Sequence, residues 1–76
     1  MIIFVGSKKP DTDGFYPRIF FNTDVATGAD YVTFIANFME LITKDQAAME
    51  RMANAEGKTT QHSFYGAVGA IAIKPE

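Results

Sequence analysis

The chain is predicted to fold as an α+β domain, with a small three-stranded, mainly antiparallel sheet (β-β-α-β) packed on one long or broken amphipathic helix. Three features predict this. Residues 2–5 form an unbroken apolar run, and residues 18–23 and 62–74 read as extended segments. Between the last two, residues 28–56 place apolar side chains at three- and four-residue steps, the period of a helix face. A chain of 76 residues allows a single domain, 1–76, hiding only about 60% of the surface its unfolded form exposes. With 47% hydrophobic residues, seven Phe, three Tyr and a net charge of -2, it is too apolar and too weakly charged for disorder.

The first strand, Ile2-Ile3-Phe4-Val5, is β-branched and apolar on both faces and is ended by Gly6. Ser7 to Gly14 is a polar loop, longer than the usual hairpin connection, with Phe15 and Tyr16 at its exit. A second strand follows Pro17, with Ile19 and Phe21 on one face and Phe20 on the other. Thr27 followed by Asp30 is a capping-box signal, so a helix starts near Gly28, and Gly57 is the residue expected just past its end. The apolar stripe of that helix reads Tyr31, Ile35, Phe38, Ile42, then Asp45, then Met49 and Met52, with Glu40 and Lys44 pairing on the wet side. Thr43 with Gln46 three residues on is a second capping signal, so a break into two helices at Thr43 is the alternative. Residues 62–74 read as a central strand whose Gly66 and Gly69 permit a bulge or close approach of another backbone. The expected core includes Phe4, Phe21, Phe34, Phe38, Ile42 and Val68.

The residues carry no motif for a cofactor, a metal or a catalytic constellation, so none is expected. The absence of Cys excludes thiolate catalysis, thiolate metal binding and disulfides, and fits a cytoplasmic location. Asp11-Thr12-Asp13-Gly14 begins like a calcium loop, but its Gly comes two positions early and the twelfth position is Asn22, so an ordinary turn is expected. Gly6-Ser7-Lys8-Lys9 lacks the P-loop pattern, and Gly66-Ala67-Val68-Gly69 lies in strand rather than between helices. His62 is the single histidine, so no multi-histidine zinc site can form, and adjacent Ser63 would point to the opposite face of a strand, which leaves a surface or strand-end histidine as the expectation. No segment is long and apolar enough for a membrane span.

What remains is surface. A straight helix over 28–56 is roughly 40 Å long, while a compact domain of this size is about 25 to 30 Å across, so part of the apolar stripe is expected to lack an intramolecular partner. The expected function is therefore a small non-enzymatic protein-binding module, a regulator or inhibitor acting by surface occupation. Phage inhibitors of host machinery share this compositional profile. Its binding residues are expected to be Phe15, Tyr16, Asp45, Met49 and Met52, with another protein as partner and self-association through the C-terminal half of the helix. The alternative is single-stranded nucleic-acid binding through Lys8, Lys9 and Arg18 beside the aromatic loop. Only seven basic residues against nine acidic ones weigh against it.

Overall fold

The computed structural model describes residues 1–59 and 66–74. Among these the elements run β1 (Ile2–Gly6), β2 (Tyr16–Asn22), α1 (Gly28–Glu56), β3 (Lys58–Thr59) and β4 (Val68–Ile73). The fold is α+β, but the sheet has four strands rather than three, in the order β1-β2-β4-β3. β2 pairs antiparallel with both β1 and β4, whereas β3 runs parallel to β4. The added strand comes directly after the helix. Gly57, at φ +103, leaves α1 while its N–H donates to the Ala53 carbonyl, and the chain then lies beside Ala72 and Ile73. The third predicted strand is shorter than expected and begins at Val68, after Gly66 at φ +84. Residues 62–65 of that prediction, His62 among them, lie outside the described residues.

Strand register sorts the side chains into two layers, because directly paired residues share a face. Val5 pairs with Ile19, Ile3 with Phe21, Phe21 with Val68 and Ile19 with Ala70. This is the face α1 covers. Ile19, Phe21 and Ala70 meet Phe34 and Met49 there, with Val5, Phe38, Leu41, Met52 and Val68 packed around them. Ala48, Ala53, Ala70 and Ala72 are buried, and such small side chains let helix and sheet approach closely. On the opposite face Phe20 is paired with Gly69, where an added Cβ would stand 3.0 Å from the Phe20 ring.

The helix begins as expected. Thr27 Oγ1 accepts from the Asp30 N–H at 3.3 Å, and the Asp30 carboxylate accepts from the Thr27 N–H at 2.8 Å. The break at Thr43 does not occur, since α1 is continuous from Gly28 to Glu56. The Thr43 hydroxyl instead donates to the carbonyls of Met39 (2.9 Å) and Glu40 (3.1 Å) of the preceding turn. Hydroxyl back-bonding of this kind bends helices. Glu40 does not turn to Lys44; its carboxylate takes the Arg51 guanidinium at 2.6 Å. Eleven residues of straight helix rise about 16.5 Å. Extended Glu and Arg side chains reach only roughly 12 Å together at ordinary bond lengths. The pair can close only if α1 bends between them.

The bend accompanies a reassignment of the helix face. Beyond Thr43, Ala48, Met49 and Ala53 are buried on the sheet and Met52 packs against the core. The expectation that Met49 and Met52 overhang the sheet is thus corrected. Ile42, expected in the core, is 58% exposed, whereas Met49 is 0% exposed.

Candidate functional site

Among the described residues, the exposed large apolar side chains of α1 all lie on its N-terminal half, not the C-terminal half. Each core residue there is followed directly by an exposed apolar one: Phe34 by Ile35, Phe38 by Met39 and Leu41 by Ile42. One residue is about 100° of helix rotation, so the exposed line runs along the flank of α1 beside the buried line. It comprises Val32 (67% exposed), Ile35 (37%), Met39 (51%) and Ile42, bordered by exposed Tyr31. Tyr31 is anchored by an edge-on contact with Phe21, 5.9 Å between centroids, and Phe21 stacks on Phe34 at 5.1 Å. The base of the flank is therefore packed against the core. From Tyr31 to Met39 the sequence holds no charged residue.

The loop between β1 and β2 forms a second cluster, and its aromatics are engaged rather than free. Asp11 organises it: one carboxylate oxygen accepts from the N–H groups of Asp13 and Phe15, both at 2.9 Å, while the Asp11 N–H donates to the Phe15 carbonyl at 2.7 Å. The other Asp11 oxygen and the Asp13 carboxylate each hold the Lys58 ammonium at 3.1 Å. That ammonium also lies 4.9 Å from the Phe15 ring centre, with Lys74 at 5.6 Å. Burial alone pushes the Asp11 carboxyl up, but the Phe15 N–H, the Lys58 ammonium and the Asp13 N–H outweigh it and hold it below the usual carboxylate value. Bonding to Asp11 and Asp13 holds Lys58 above its usual value. The two carboxylates thus serve an ion pair and a turn.

Arg18 is likewise occupied. Its guanidinium donates to the carbonyls of Ser7 and Pro17 and sits 5.4 Å from the Tyr16 ring centre. Burial lowers its pKa, against an opposing pull from Tyr16. Of the residues expected to contact nucleic acid, Lys8 and Lys9 are exposed. Of those expected to contact protein, Phe15 and Tyr16 are half-buried, Met49 is enclosed and Met52 is half-buried. The side chain of Asp45 lies outside the described residues.

None of Val32, Ile35, Met39 and Ile42 was among the expected binding residues, although their positions carry a signal. Residues 32, 35, 39 and 42 repeat at 3-4-3 spacing, the a/d pattern of a coiled-coil seam. Lys58 and Lys74 were missed because only the sheet brings them to the loop. No family model, no curated protein and no solved structure matches the chain. No helix among the described residues is long and apolar enough to cross a membrane.

Proposed function

We propose that this protein is a non-enzymatic protein-binding module that works through the exposed flank of α1, as a regulator or inhibitor that occupies a partner's surface. The observation that carries this reading is the line Val32, Ile35, Met39 and Ile42, with Tyr31 at its border, standing exposed on a helix whose adjacent line is buried. A contiguous exposed apolar strip on a small domain is a feature of interaction surfaces. Amphipathic helices engage partners through anchors at this spacing. The helix is already ordered by the sheet, so binding does not have to meet the cost of folding it. Ile35→Asp and Ile42→Asp test the reading. Both variants should retain the fold, with binding to protein partners reduced about tenfold or more, as for loss of an interface anchor. Correctly folded variants that bind the same proteins as strongly as the parent would defeat it.

A second reading, single-stranded nucleic-acid binding, draws on one observation. Five of the seven basic residues, Lys8, Lys9, Arg18, Lys58 and Lys74, gather at the end of the sheet where β1 stops and β2 starts. It is the weaker one. Lys58 is paired with two carboxylates, Arg18 with two carbonyls, and the Phe15 and Tyr16 rings already carry cations on positions a base would need. Neutralising Lys8, Lys9 and Lys74 should abolish any low-salt oligonucleotide binding if this reading holds. An absence of binding by the parent protein removes it.

A further inference from the structure

We infer that the ledge formed by the outer edge of β1 and the exposed flank of α1 takes an extended segment of another protein, which joins the sheet as a further strand beside β1 and lays alternate apolar side chains against α1. The inference rests on the protein-binding reading and names the kind of partner that fits the same surface. Its first ground is the backbone of β1. The Thr23 N–H donates to the Met1 carbonyl and the Ser7 N–H to the Pro17 carbonyl, so by antiparallel alternation the N–H and C=O groups of Ile3 and Val5 face β2, while those of Ile2 and Gly6 face outward. β1 is an end strand of the sheet, and among the described residues no hydrogen bond reaches the outward groups of Ile2 and Gly6. An extended backbone is what offers donors and acceptors at that repeat. Edge strands are ordinarily blunted by brevity, charge, proline or a bulge. The opposite edge, β3, has two residues and a lysine, whereas β1 has five uncharged residues, no proline and one-for-one pairing with β2.

The second ground is that the flank of α1 stands on the β1 side. The residues of β2 that face the helix, Ile19 and Phe21, direct their N–H and C=O groups to β1, and for L-residues this fixes the hand on which β1 lies. α1 runs against β2, from Tyr31 at the Phe21 end to Gly57, whose carbonyl accepts from the N–H of Ala72, the residue paired with Pro17. Seen from the start of a right-handed helix, each residue is turned about 100° clockwise from the one before. With Phe34, Phe38 and Leu41 packed toward the sheet, that turn carries Ile35, Met39 and Ile42 toward β1 and away from β3. Ile3, exposed on the helix side of β1, continues the apolar surface onto the sheet, and Phe21, its paired residue, holds Tyr31 at the border. A strand added at this edge places every second side chain in the corner between Ile3 and Ile35. Where β1 ends, Lys8 and Lys9 stand exposed, so an acidic residue at that end of the segment completes the match.

Selection of a displayed random library of peptides about seven residues long, an ordinary strand length, on the parent protein tests the inference. Enriched sequences should alternate apolar and polar residues and carry an acidic residue at one end. A synthetic peptide of that pattern should slow amide exchange at Ile2 and Gly6 and shift the methyl resonances of Ile3 and Ile35. Ile2→Pro removes one outward N–H and leaves the β1–β2 bonds in place, so it should weaken that peptide about tenfold or more with helical circular dichroism retained. Ile3→Lys changes the ledge without touching the backbone and should do the same, which keeps the test open if Ile2→Pro fails to fold. Enriched sequences with apolar residues at three- and four-residue steps, lost in Ile35→Asp but indifferent to Ile2→Pro, would overturn the strand pairing and leave the protein-binding reading standing. Protection of the Ile2 and Gly6 amides in the free protein, growing with concentration, would put a second copy on the edge and overturn it as well. A library that yields nothing dependent on Ile3 or Ile35 would remove both readings.

Discussion

Two residues on one helix show how the burial of a single side chain decides its energetic weight. Met49 is fully enclosed among Ile19, Phe34 and Ala70, whereas Ile42, of similar size and two turns earlier, stands in solvent. Truncating a buried Met to Ala removes transfer energy and leaves a cavity, about 2 to 5 kcal/mol together. An exposed apolar residue away from special features moves stability by about 0.5 kcal/mol or less. Chemical denaturation should therefore show Met49→Ala strongly destabilised and Ile42→Ala close to the parent. Equal losses in the two variants would mean that the helix face is wrongly assigned. Sequence alone could not separate these residues. The stripe Tyr31, Ile35, Phe38, Ile42, Met49, Met52 runs between two adjacent apolar lines, and only the sheet decides which is covered. Phe21 and Phe34 were legible as core because strand alternation and the helix pattern both place them inward.

At the level of elements, local signals were readable and distant ones were not. The Thr27–Asp30 box was legible because both partners lie within one turn, and the structure forms both of its hydrogen bonds. Thr27→Ala should cost about 1 kcal/mol, within the 0.5 to 2 typical of a lost N-cap, and thermal unfolding will detect it. No change in midpoint would mean that the helix start frays in solution. The same chemistry misled at Thr43, where a capping-type residue sits in mid-helix. A hydroxyl that cannot cap can still bond backward to the carbonyls of the previous turn, and here it does so within a continuous helix instead of starting a new one. The two-residue β3 had no legible pattern, because alternation cannot be read from two positions and a parallel partner is not adjacent in sequence.

For the molecule as a whole, the contact between Lys58 and the Asp11–Asp13 loop joins the β1–β2 connection to β3, which lies at the other edge of the sheet from β1. It closes a separation of 45 residues for Asp13 and 47 for Asp11, which is why the aspartates read as a turn and the lysine as an ordinary surface charge. Its dependence on pH follows from the two shifts. The Asp11 pKa is depressed in the folded state, so its contribution is complete above the ordinary carboxylate value and is lost as pH falls through the depressed one. The Lys58 pKa is raised, so its contribution is complete below the ordinary lysine value and is lost as pH rises through the raised one. The clasp should thus hold at full strength between about pH 4 and about pH 10, the ordinary values of the two groups. The Phe15 ring supplies the readout, since it displaces the resonances of the lysine side-chain protons lying over it. The Lys58 resonances should stay displaced across that window and relax toward random-coil positions in acid, at a pH below the ordinary aspartate value. In Asp11→Asn the acid transition should weaken and the loop amides of Asp13 and Phe15 should exchange faster. Lys58 resonances at random-coil positions at neutral pH would show that the loop stands open, and the sheet's two edges would then be joined only through the strands between them.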